Sequence, residues 1–184
     1  MRFRQGSSIP VRVAVIGFSS PRFHRCRVAA YFLGQYLAKS GYMTVGANVT
    51  GVFDDVFCGV RSLGGCSCAL LESSHSDLPN PLKCERLRIV SNRMNKHRLL
   101  ASMADMGVVI GGGRASKRII FKLLMQKKPV WAYAGSGGIV AKELGAGVIV
   151  LDSMELIFQA IENYYQHEMC GYTEITPIIN LASG

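Results

Sequence analysis

The residues best suited to hold an anion are Gly111, Gly112 and Gly113, followed by Arg114, Ala115, Ser116, Lys117 and Arg118. They come directly after Met106–Ile110, an apolar run that reads as a buried parallel strand, and they lead into a stretch of helical period. Glycine admits positive φ and lets a ligand approach the backbone closely. The helix that follows supplies amides with no internal acceptor and the positive end of its dipole. Ser116 adds a hydroxyl, and Arg114, Lys117 and Arg118 add charge. The chemistry this predicts is binding of phosphate or carboxylate. The same residues are equally compatible with a plain turn before a solvated basic helix face.

Other reactive residue types give less. Cys26, Cys58, Cys66, Cys68, Cys84 and Cys170 contain no CxxC pair and no zinc-like spacing with histidine, so they read as reduced thiols filling small core positions. His24, His75, His97 and His167 form no pair with metal-ligand spacing, and each is expected to be structural or exposed. No metal and no cofactor is expected. Asp54 and Asp55 fall on the first turn of a helix, where the dipole favours them, and Glu143 falls on a solvated face. Trp131 and Tyr133 lie on an interior strand and read as core rather than as base-stacking groups.

The elements that must position the glycines alternate along the chain. Strands are predicted at 11–16, 43–45, 66–71, 87–90, 106–110, 130–133 and 148–151. Helices fill the intervals, with Val28, Ala29, Phe32, Leu33, Tyr36 and Leu37 as the inward face of the first. The segment from Asn92 to Met103 reads as a helix with Leu99, Leu100 and Met103 inward and with Arg93, Lys96 and Arg98 on its surface. Residues 72–81 read as a loop. This order predicts an α/β fold, a doubly wound, mainly parallel, Rossmann-like sheet in a single domain. Its glycine turns, Gly17–Ser20, Gly46–Gly51, Gly111–Ser116 and Gly135–Gly138, gather along the edge where such sheets take ligands. The expected organisation is an extension over 1–10, the domain over 11–166 and a tail over 167–184.

The chain has 184 residues, 49% of them hydrophobic, which is enough for one sizeable core. Its 21 Lys and Arg outnumber 12 Asp and Glu, a net charge of +9 that favours anionic partners without selecting one. No export signal precedes an apolar region and no segment is long enough to span a bilayer, so a cytoplasmic protein with no membrane partner is expected.

The order of these motifs resembles the LOG-like, or lysine decarboxylase-like, branch of the Rossmann superfamily. Val13–Ser20 is similar to its opening strand and G-x-S-S turn, and Gly46–Val52 with Gly59–Gly65 to its glycine motif and following helix. Ala104-Asp105 through Gly111-Gly112-Gly113-Arg114-Ala115-Ser116 is similar to its acidic and G-G-x-G-T segment. The resemblance implies a phosphorylated ligand held by Gly17, Ser19, Ser20, Gly46, Asn48, Gly51, Lys96, Gly111, Gly112, Gly113, Arg114, Ala115 and Ser116, and it implies a homodimer. Family members include phosphoribohydrolases that cleave nucleoside 5′-monophosphates using a Glu after the glycines and an Arg from the preceding helix. Here those positions are Ile119 and Lys96. The expected function is therefore binding of a nucleotide or related phosphorylated small molecule without the hydrolase chemistry. The alternative is a phosphoribohydrolase whose acid comes from elsewhere, Asp54, Asp55 or Glu143. A third reading follows Lys96–Ala101 and Gly17–Pro21, which are similar to segments of DNA-processing protein A, and has single-stranded DNA as partner.

Overall fold

The computed structural model describes residues 10–18, 24–73, 84–140 and 144–169. The described residues form seven strands, β1 (Arg12–Gly17), β2 (Met43–Gly46), β3 (Ser67–Glu72), β4 (Arg86–Val90), β5 (Met106–Ile110), β6 (Val130–Tyr133) and β7 (Val148–Leu151). The helices are α1 (His24–Lys39), α2 (Val52–Ser62), α3 (Arg93–Met103), α4 (Arg114–Met125) and α5 (Met154–Tyr164). All strands run parallel in the order β4-β3-β2-β1-β5-β6-β7. The doubly wound α/β sheet is as expected.

The strand sequences explain the order. β5 is buried at every position and β1 at its four central ones, as befits strands covered on both faces, whereas β4 and β7 have only exposed and half-buried residues, as edges do. Central register pairs such as Val15 with Val108 and Ile16 with Val109 place β-branched side chains beside one another. Two cores result. Ala14, Val45, Leu70, Leu100, Ile120 and Leu123 belong to the one that α3 and α4 share. Val13, Val15, Leu33, Val56, Val108 and Ile157 belong to the one under α1, α2 and α5.

α1 is rotated from the face that its sequence suggests. Ala29, Leu33 and Leu37 are buried as expected, joined by Cys26 and Ala30, while Val28 and Phe32 are 42% and 53% exposed. The displacement is less than a quarter turn, and it follows from Gly34. A Cβ at Gly34 would run into the backbone oxygen of Val56, and one at Gly59 into the backbone oxygen of Tyr31. The two helices therefore touch backbone to backbone at a pair of glycines, and α1 turns its Gly34 side toward α2. On the other face Lys128 Nζ donates to the Ala101 carbonyl at 2.7 Å, placing a cation on the carbonyl end of α3.

Candidate functional site

Parallel strands bring all their C-terminal ends to one edge, and β1 lies between β2 and β5, where the winding of the sheet reverses. A cavity of about 380 Å³ opens there. Gly17 at the end of β1, Asn48 after β2 and Phe53 of α2 form one wall. Glu72 at the end of β3, with Arg93, Lys96 and His97 of α3, forms the second, and Ala115, Ser116 and Ile119 on the first turns of α4 close the third. Two larger hollows, about 610 Å³ between α1 and α5 and about 600 Å³ beside α4, are lined mainly by apolar groups. Convergent polar side chains distinguish the smaller one.

The glycine turn is built as its sequence requires. Gly111 and Gly112 have φ of 67° and 103°, a region that other residues rarely adopt. The Gly111 amide donates to Ser136 Oγ at 2.7 Å, and the Gly112 carbonyl accepts from the Ile139 amide at 3.2 Å. Gly113 is extended and caps α4. Ser116 Oγ accepts from the Gly113 amide at 3.3 Å and donates to the Gly17 carbonyl at 3.4 Å. The serine hydroxyl thus ties the turn to β1. The amides of Arg114, Ala115 and Ser116, which no helix satisfies internally, remain as the donors of the α4 end.

The feature that sequence reasoning missed is Glu72. It stands at the end of β3 rather than in a loop, and its Oε1 lies 2.8 Å from Lys96 Nζ and 3.5 Å from Arg93 Nε. Its side chain is 11% exposed and that of Lys96 8%. Lys96 was expected on the surface of α3 and instead faces inward with His97, Leu100 and Ala101. A lysine tolerates that position because a carboxylate meets it there. The available signal was an acidic residue at the end of an apolar parallel strand, one residue beyond the predicted boundary.

Both titrating groups are displaced. The hydrogen bond from Lys96 holds the Glu72 carboxyl below its ordinary range, against the opposing effect of burial. His97 is pushed down chiefly by burial and then by the charges of Lys96, Arg93 and Arg118, with Glu72 opposing. The imidazole, 3% exposed, makes no hydrogen bond among the described residues. Because its folded pKa is depressed, the stability it contributes is complete above its ordinary value of 6.5 and is lost as pH falls through the lowered one. The melting temperature of the wild type should therefore decline as pH falls below 6.5. In His97→Gln that decline should be smaller, which thermal melts across the range will show.

Of the expected site residues, the structure brings Gly17, Asn48, Lys96, Ala115 and Ser116 onto one cavity. Gly111, Gly112 and Gly113 shape the turn beside it. Gly46 packs, since a Cβ there would lie 2.8 Å from the Phe57 ring, and Gly51, with φ of 66°, caps α2. Arg114 is exposed on the first turn of α4, and Lys117 lines the hollow beside that helix. Ser19, Ser20, His75 and Glu143 lie outside the described residues. Asp55 pairs with Arg27 of α1 at 3.1 Å, and neither it nor Asp54 lines the cavity. Ile119 is buried in the cavity wall, so the position where the hydrolases carry Glu is apolar here. Trp131 is core, stacked edge-on to Tyr164. The described cysteines are free thiols, and no described helix is long and apolar enough to cross a membrane.

The same architecture occurs in solved proteins. The structural-genomics protein TM1055 superposes with a TM-score of 0.74 at 26% identity, covering 83% of this chain and 99% of its own. The molybdenum cofactor carrier protein of Chlamydomonas reinhardtii gives 0.71 at 18% identity, over 86% of this chain and 99% of its own. DNA processing protein A of Helicobacter pylori, described with a single-stranded DNA binding mode, gives 0.63 at 12% identity, over 84% of this chain and 81% of its own. No curated protein matches. Residues 10–158 match the SLOG cluster4 model, nearly the whole of the fold just described, and the chain belongs to that LOG-like Rossmann family, SLOG cluster4.

Proposed function

We propose that the protein binds a nucleotide or related phosphorylated small molecule in the cavity between β1, α3 and α4, and does not hydrolyse it. The observation that carries this reading is the meeting of the α4 N-terminus with Lys96 in one cavity whose α4 wall holds Ile119 in place of a carboxylate. Free amides and a lysine suit an anion, while an isoleucine can neither donate a proton nor stabilise a cationic ribose. Solved proteins of this fold that act as a cofactor carrier and as a DNA binder are in keeping with a fold that holds ligands. The hydrolase alternative draws on Glu72, a carboxylate in the cavity from an unexpected element. Its lowered pKa makes it a poor proton donor at neutral pH, and its charge is already paired with Lys96 and Arg93 rather than free for a cationic ribose, so release of adenine from AMP is not expected.

Gly113→Asp tests the reading without harming the fold. Gly113 has φ of −140°, and a Cβ there meets no atom within 4 Å. Aspartate at a helix N-cap is favourable, so the apo protein should melt at or slightly above the wild-type temperature. The new carboxylate would occupy the amides that the phosphate needs. Saturating AMP should raise the wild-type melting temperature and leave the variant's unchanged. An AMP shift of equal size in both proteins would remove the α4 end from the binding site.

A further inference from the structure

The cavity has two chemically different ends. At the α4 end are amides; at the α3 end are the Glu72 carboxylate, paired on one side with Lys96 and Arg93, and the imidazole of His97. Lys96 and Arg93 make their closest approach to Glu72 at Oε1, and Oε2 takes no separate hydrogen bond among the described residues. His97, 3% exposed, lines the same wall and likewise makes no hydrogen bond there. Neither group is sealed from solvent; both line the cavity, where a ligand's hydroxyls can take the place of the water they meet. Resting on the phosphate-binding reading, we propose that Glu72 Oε2 and His97 receive the vicinal hydroxyls of a ribose whose phosphate lies at the α4 end, making Glu72 the residue that selects ribonucleotides over deoxyribonucleotides.

The chemistry of the wall selects this class. An ionised carboxylate only accepts hydrogen bonds, so its partner must be a donor. That donor is neutral, because Lys96, Arg93 and Arg118 surround the wall and repel an ammonium group. A neutral imidazole offers one donor and one acceptor nitrogen. Two adjacent hydroxyls satisfy both groups at once, one donating to Oε2 and the other pairing with the imidazole, whereas a single exocyclic amine reaches only one. At about 380 Å³ the cavity is small for a ligand site, which keeps anion and diol within about the span of one sugar phosphate. Lys96 fixes the carboxylate in place, so the acceptor is positioned before the ligand arrives.

The test is calorimetric titration of the full chain with AMP, 2′-deoxy-AMP and inorganic phosphate, on wild type and Glu72→Gln. In the wild type AMP should bind at least about tenfold more tightly than 2′-deoxy-AMP, the loss expected for one hydrogen bond to a charged group. In Glu72→Gln the ratio should fall to within about twofold, while phosphate binds as well as before or better, since a negative charge has gone. Equal affinity of the wild type for the two nucleotides overturns the diol assignment and leaves the phosphate site standing. So does a ratio that survives in Glu72→Gln. If none of the three ligands binds the wild type, the phosphate site itself is wrong and the assignment goes with it. Should the variant not fold, ribose 5-phosphate against 2-deoxyribose 5-phosphate on the wild type decides the same question.

Discussion

Gly34→Leu is expected to yield no folded protein, and Gly34→Ala to cost on the order of 3 kcal/mol. A methyl group there has nowhere to go, because the atom it meets is the Val56 carbonyl, backbone within α2 rather than the end of a flexible side chain. Relief requires α1 and α2 to separate. That in turn lifts Leu33 and Val56, both fully buried, from the core they share over β1. Gly59→Ala should act in the same way through the Tyr31 carbonyl. The two alanine substitutions together should cost less than the sum of the singles, since one separation accommodates both. Urea denaturation followed by circular dichroism measures all three. A Gly34→Ala protein as stable as wild type would show that the helices do not meet at this point in solution.

The second large effect is at Lys96. Lys96→Met keeps the length of the side chain but removes the charge that compensates Glu72, leaving a carboxylate at 11% exposure with only Arg93 at 3.5 Å. Breaking such a pair on one side is expected to cost about 2 kcal/mol, less than for a fully enclosed pair because the cavity admits water. Pairing the change with Glu72→Gln should recover much of that loss, as the stranded charge is then gone. On the proposed reading, anion affinity should not recover in the double variant, because the cavity still lacks the charge of Lys96. Chemical denaturation of the four proteins of the cycle separates the two effects. A single Lys96→Met variant of unchanged stability would mean that the pair contributes nothing to the fold.

How far the sequence could be read follows from what each feature depends on. Strands such as Met106–Ile110 were legible because a parallel strand buried on both faces must be apolar throughout. Gly111 and Gly112 were legible as a turn because positive φ selects glycine locally. The Glu72–Lys96 pair was not legible, since it needs the end of β3 and the rotation of α3 at once, and a helix with two polar residues on its inner face defeats a search for apolar period. The rotation of α1 was hidden for a related reason. Its apolar residues fit two faces, and the choice between them was made by Gly34, a residue with no side chain to weigh. Ser116 was legible as part of the turn, but its hydroxyl is held by Gly17, a partner that only the adjacency of β1 and β5 supplies.

The glycine crossing also sets where the cavity can give. Gly17, Asn48 and Phe53 stand on β1, on the turn after β2 and on α2, a contiguous block whose two helices interlock at their backbones and cannot slide without collision. The opposite wall belongs to α3, whose buried residues are Lys96, His97, Leu100 and Ala101, only two of them apolar. Interlocked backbone is stiff, and a helix seated on little hydrocarbon is compliant. Any adjustment of the cavity to the size of an occupant is therefore expected on the α3 side, the wall that carries the ionic groups, while the α1–α2 side stays fixed like an anvil.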